Sequence, residues 1–346
     1  MTGEPMGLEA TFPWRRQLGL RPGELVEVRS REEVLRTLDS RACLDGLPFM
    51  PEMFQYCGRR FHVSKRSEKA CDTIVSGQGR RVRDAVFLEN LRCDGAAHGG
   101  CQALCLLWWR EGWLKRVDAT ATADAKPGEA RAGCTEQDVE RATRLPGDAN
   151  SEVLYSCQAT RLLDFTEYLR WWDPLPYLRE FAYGNVGLFK GLAVILRAAM
   201  NVVRRRIGLL PRPSIRGYCE GQTPAGTPLG LKHGDWVVVR SKEEIEATLN
   251  LKKFNRGLSF DVEMLPYCGK RMQLLQKVER IIDETNGKMR VLSNDCWILE
   301  GSICSGHLSR NRLFCTRALY PFWRGIWLRP DTEAGGGASA PSQPRA

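Results

Sequence analysis

Residues 23–60, GELVEVRSREEVLRTLDSRACLDGLPFMPEMFQYCGRR, return 211 positions later as GDWVVVRSKEEIEATLNLKKFNRGLSFDVEMLPYCGKR, with no gap. Eighteen of the 38 positions are identical, where about two would agree by chance. The register continues: Asp72 matches Asp283, Leu88 matches Leu299 and Cys93 matches Cys304. Three residues are then added in the second copy, after which Cys101 matches Cys315 and WREGWL at Trp109 matches WRGIWL at Trp323. A repeat of about 100 residues is a duplicated domain rather than a solenoid unit. Whatever one copy folds into, the other must be able to fold into as well.

Each copy reads as mostly β. ELVEVRS and DWVVVRS follow a turn glycine and have the β-branched content of strands. Ser30 with Glu33, and Ser241 with Glu244, have capping-box spacing and predict a short helix after that strand. YCGRRFHV and YCGKRMQLL read as turn then strand, and DAVFLENL and DCWILEGSI as a further strand. The opening Gly-Asp/Glu-x-Val-x-Val resembles the first strand of SH3-like barrels. The expected class is α+β, with two small SH3-like modules joined by a helical insert. The expected layout is an extension at 1–18, modules at 19–117 and 230–330, a flexible linker at 118–150 with a helical turn near TEQDVERAT, a helical insert at 151–210, a linker at 211–229 and a disordered tail at 331–346. The last helix of the insert is expected to start with Asn185 as its cap and to stop before Gly208.

Thirteen cysteines need an explanation. The N-terminus lacks the basic start and apolar stretch of a secretory signal, and no uncharged apolar run reaches about 18 residues. A cytoplasmic setting is therefore expected, where cysteines stay reduced and more often bind metal or pack than form disulfides. The copies share Cys57, Cys93 and Cys101 in the first and Cys268, Cys304 and Cys315 in the second. Only four histidines exist, and two of them, His98 and His307, fall between the last two shared cysteines of each copy. Three thiolates and an imidazole suit a closed tetrahedral zinc site. The readings that remain beside it are core packing of reduced cysteines and thiol chemistry. Cys71 and Cys105 occur in the first copy only, facing Ile282 and Leu319 in register. With them, iron or an iron–sulfur cluster becomes an alternative, although no Cys-x2-Cys pair is present. His62 and His98 could each activate a nearby thiol, and the matched Glu89 and Glu300 could be buried carboxylates.

Trp109, Arg110 and Trp113, with Trp323, Arg324 and Trp327, could stack bases or sugars, or else form the core of each module. The net charge of +10 favours an acidic partner: protein, nucleic acid or an anionic polymer. Along residues 186–206 the polar positions Lys190, Arg197, Asn201 and Arg204 lie on one narrow helical face. That segment either packs between the modules or makes peripheral contact with an anionic membrane. No nucleotide loop, HExxH or GxSxG motif is present.

The set YCG, RCDG..H.GC and WRE.WL in the first copy, with CSG and FWR..WL in the second, resembles a family of uncharacterised bacterial proteins with a duplicated Cys/Trp-rich domain. The resemblance spans both repeats and WWDPLPYLRE. It implies the architecture, and loosely a place near polysaccharide or secondary-metabolite synthesis. Two functions follow as expectations: a metal-stapled binding or scaffold protein, or an accessory metallo- or thiol-dependent enzyme with its site in the first copy.

Overall fold

A computed structural model of the chain describes residues 18–75, 79–117, 134–145, 152–170, 173–309 and 312–331. It is a mixed helix and sheet protein built from several small antiparallel sheets. Residues 1–17 of the expected N-terminal extension, most of the linker at 118–150 and the tail beyond Asp331 lie outside the described residues. Among those residues five α-helices occur: α1 Arg31–Leu35, α2 Glu136–Ala142, α3 Leu175–Ala182, α4 Leu188–Arg206 and α5 Lys242–Glu246.

The two halves carry five-stranded sheets of matching order. In the first, Leu106–Arg110 pairs with Ala85–Arg92, then Arg60–Arg66, Leu25–Val28 and Leu114–Arg116. In the second the series is Trp323–Arg324, Cys296–Leu299, Arg271–Lys277, Trp236–Val239 and Leu328–Pro330. In each, the two edge strands are consecutive in the chain and joined by one 3-10 turn, Glu111–Trp113 or Gly325–Trp327. The sheet must therefore curl, since its first and last strands are covalent neighbours.

Local chemistry explains the shared elements. Ser30 and Ser241 make complete capping boxes with Glu33 and Glu244, so α1 and α5 start where the spacing requires. Alternation buries Val26 and Val28 in one half and Val237 and Val239 in the other. The turn glycines Gly58 and Gly269 hold φ of +73° and +74°, a region that favours glycine. Thr135 caps α2, which is the helical turn expected near TEQDVERAT.

The region expected to be a helical insert divides differently. Residues 158–164 are turns rather than helix, and Cys157, Leu162 and Phe165 pack in the core of the first half, while Leu154 bridges to Lys288 of the second. Gln158 explains the attachment: its amide donates to the Pro48 and Trp108 carbonyls at 3.0 Å and accepts from the Trp108 N–H at 2.8 Å. Leu162 is fully buried, and Phe165 meets Trp108 edge-on at 5.3 Å. Thr166–Tyr168 then adds a strand to Gly79–Val82. Asn185 does not cap α4, because its side chain instead holds the Arg66 backbone and Glu180. Gly187 occupies the cap position, and α4 ends before Gly208 as the spacing predicts.

The halves clasp one another by exchanging equivalent contacts. The hairpin Lys69–Cys71/Gly79–Val82 of the first half reaches the loop around Cys315, where the Cys71 N–H donates to Cys315 Sγ at 3.2 Å. The hairpin Arg280–Ile282/Met289–Val291 of the second reaches the loop around Cys101, where the Ile282 N–H donates to Cys101 Sγ at 3.4 Å. In the repeat register Cys71 is Ile282 and Cys315 is Cys101, so these are one contact made twice. Likewise Thr316 N–H donates to the Lys69 carbonyl and Gln102 N–H to the Arg280 carbonyl. Thr73 and its own equivalent, Glu284, hydrogen-bond to each other. Contact between a residue and its counterpart marks the axis of a pseudo-two-fold arrangement.

Candidate metal centre

The loop from Cys93 to Cys105 begins where the strand Ala85–Arg92 ends, and it is closed by the Cys93 N–H donating to the Cys105 carbonyl at 2.8 Å. Gly95, with φ of +73°, lets the loop fold tightly, since a Cβ there would fall 2.0 Å from the Cys101 carbonyl oxygen. His98 is thereby turned inward and is 1 % exposed. Opposite it stands Glu52, near the start of the 3-10 helix Pro51–Tyr56, with its side chain equally buried.

Glu52, Cys93 and His98 bring one ligand atom each to within 4.8 Å of one another. His98 Nε2 lies 3.3 Å from Cys93 Sγ, and Nδ1 lies 3.9 Å from a Glu52 oxygen. Both Glu52 oxygens and His98 Nδ1 are buried without a hydrogen-bond partner. Such groups are costly to leave unsatisfied. Burial raises the pKa of Glu52, pushes the Cys93 thiol well above its ordinary value and pulls His98 down to about 4. Each group is thus pressed toward its neutral form in the absence of a compensating positive charge.

The cavity beside this cluster encloses about 30 Å³, and Cys101, Cys105 and Cys157 also line it. That is room for a water or a metal ion. Cys157 is pushed up to about 11 by burial, and burial raises Cys101 and Cys105 as well.

The second half has no matching arrangement among the described residues. Glu263, the counterpart of Glu52, accepts from the Leu308 N–H at 2.7 Å, the Ser309 N–H at 2.9 Å and the Ser305 hydroxyl at 2.7 Å. Ser309 stands at the position of His98 in the uninterrupted register. His307 is displaced along the loop and packs edge-on against Phe314. Among the described residues Glu52, Cys93 and His98 are the group brought together, with Cys93 and His98 the members of the expected sets that it includes. Cys57 and Cys268 end equivalent 3-10 helices, where burial pushes each up to about 11. Cys304 is pushed up to about 12, and Cys315 faces Cys71 across the clasp. The hydrogen bond from Cys315 pulls the Cys71 thiol down to about 6, with Arg317 contributing.

The tryptophan positions are core rather than a stacking surface. Trp109, Trp113, Trp323 and Trp327 are fully buried. The chain turns through the 3-10 segment between each pair, and this returns both rings to the interior, against Phe49 in one half and Phe260 in the other. Arg110 and Arg324 are buried donors to backbone carbonyls, at Leu44 and Asp45 and at Asn294 and Arg256. Glu89 and Glu300 are exposed, and His62 lies on the surface 3.6 Å from Glu89.

Glu52 and Cys157 were not singled out by the sequence reading. Glu52 left a signal, since it is one of the residues identical between the copies. Cys157 left none, because it comes from a segment with no counterpart. Compared with known protein families, curated proteins and solved structures, the chain matches none.

Proposed function

We propose that the chain is a tandem binding scaffold of two SH3-like barrels, the first stapled internally by a metal ion, with Zn²⁺ the best-suited occupant. One observation carries this reading: Glu52 is buried with both oxygens unpartnered beside Cys93 and His98, while its counterpart Glu263 is fully satisfied. Carboxylate oxygen, thiolate sulfur and imidazole nitrogen form a donor set that zinc accepts. A cation would stabilise the ionised carboxylate and thiolate that burial otherwise opposes. A further ligand is available among Cys101, Cys105 and Cys157. The space beside the cluster suits an ion, in keeping with a staple. The strand order and the 3-10 turn between the last two strands support the SH3-like assignment of both halves. The charge of +10 supports an acidic macromolecule as the partner.

The surplus thiols of the first half favour a second reading: iron in place of zinc, in an accessory enzyme of a bacterial polysaccharide or secondary-metabolite pathway. Metal analysis by mass spectrometry with an absorption spectrum, on untagged protein, separates the two. The scaffold reading expects one zinc per chain and no visible absorbance, with metal lost in Cys93→Ser and kept in Cys304→Ser. Iron with visible bands supports the second reading. Metal-free protein, or metal retained in Cys93→Ser, overturns the site.

A further inference from the structure

Helix α4 is turned the wrong way round for a helix of a water-bathed surface. Its inward stripe is Gly191, Val194, Ala198 and Asn201. Gly191 makes the seat possible, because a Cβ there would fall 2.1 Å from the Phe181 ring of α3. Asn201 fixes the far end by exchanging two 2.8 Å hydrogen bonds with the Arg212 backbone. The broad outward face is apolar: Phe189 is 88 % exposed and Leu196 61 %, with Leu192, Met200, Val203 and Ile207 all more than half exposed. These positions recur at spacings of three and four, so they form one continuous face. A contiguous exposed apolar surface marks an interaction site.

The charges decide what covers it. Helix α4 has no acidic residue. Lys190 is exposed on one border of the apolar face and Arg206 on the other, while Arg197 and Arg204, which share the Lys190 border, are half-buried, with Arg204 donating to the Leu210 carbonyl at 2.8 Å. A second copy of the same face would bring like charges together. An anionic bilayer answers both features: acyl chains receive the apolar face, and headgroup phosphates meet the exposed Lys190 and Arg206. The helix lies along the surface and does not cross it, since no described helix is long and apolar enough to span a membrane.

We propose that α4 docks the protein peripherally on an anionic lipid surface. Vesicle co-sedimentation of the full chain tests this, with phosphatidylcholine alone and with an equimolar mixture of phosphatidylcholine and phosphatidylglycerol. The protein is expected to pellet with the mixed vesicles and to be released by high salt. Phe189→Glu with Leu196→Glu, both at exposed positions, should abolish binding while circular dichroism and metal content stay unchanged. Lys190→Gln and Arg206→Gln should each weaken binding about fivefold. Absence of binding to the mixed vesicles overturns the proposal. So does equal binding by the glutamate variant. A dimer in sedimentation equilibrium that dissociates in the glutamate variant would also overturn it, by assigning the face to a second copy.

Discussion

Glu52 and Glu263 hold the same place in two copies of one fold, yet their surroundings give them opposite roles. Glu263 accepts three hydrogen bonds and organises its loop, whereas Glu52 accepts none. Glu263→Gln should therefore destabilise the protein by about 1–3 kcal/mol in urea unfolding, because it strips charge from a fully used acceptor. Glu52→Gln should leave the metal-free protein as stable as before, or more so, and should instead lower the bound metal. Equal losses of stability in both variants would remove the distinction. His98 carries a pH signature. Burial holds its folded pKa near 4 against an ordinary 6.5. A base with a depressed folded value contributes its full stability above pH 6.5 and loses it as pH falls from 6.5 toward 4. The loss in chelator-treated protein should approach roughly 3 kcal/mol. Comparing unfolding midpoints at neutral pH and near pH 4 tests this, and His98→Gln should flatten the difference.

The exchanged hairpins are the elements that make two modules into one body, and Arg317 is their most committed residue. It is 1 % exposed, donates to the Cys71 carbonyl at 3.1 Å and to the Thr73 hydroxyl at 2.8 Å, and pairs with Glu284 at 3.3 Å. Arg317→Leu should cost about 3 kcal/mol, since it also leaves Glu284 without its buried partner. Adding Glu284→Leu should restore part of that loss, because the stranded carboxylate is removed with it. Strict additivity of the two in urea unfolding would show that the pair is not coupled. Helix α3 lies over the same junction, with Tyr177 3.5 Å from the Lys69 ammonium and Phe181 edge-on to Phe314.

At the scale of the molecule, the repeat made the strands, the capping boxes and the turn glycines legible, because each is a local signal stated twice. Trp109 and Trp113 were legible as a pair with core as one of two readings, and the 3-10 turn that folds both rings inward was not, since spacing alone cannot reveal it. The Glu52, Cys93 and His98 cluster was half legible. Cys93 and His98 are close in the chain, while Glu52 arrives through the sheet from a helix some forty residues earlier. Counting shared cysteines suggested two symmetric sites. The copies have instead kept one fold and diverged at His98 and Ser309, a substitution that an alignment lacking the three-residue shift exposes. The clasp was invisible, because backbone donors to a sulfur or a carbonyl can be supplied by any residue type.

That clasp also orders events during synthesis. The first strand of the hairpin ending at Val82 finds its partners across the clasp at Cys315, Thr316 and Arg317, about 245 residues later in the chain. Contacts so distant in sequence form late, after the loop between them has closed. The first half therefore leaves the ribosome with a reduced, sulfur-rich edge uncovered until almost the whole second half has followed it. Until then Cys71 lacks the cover of Cys315, and Cys101 lacks that of Ile282.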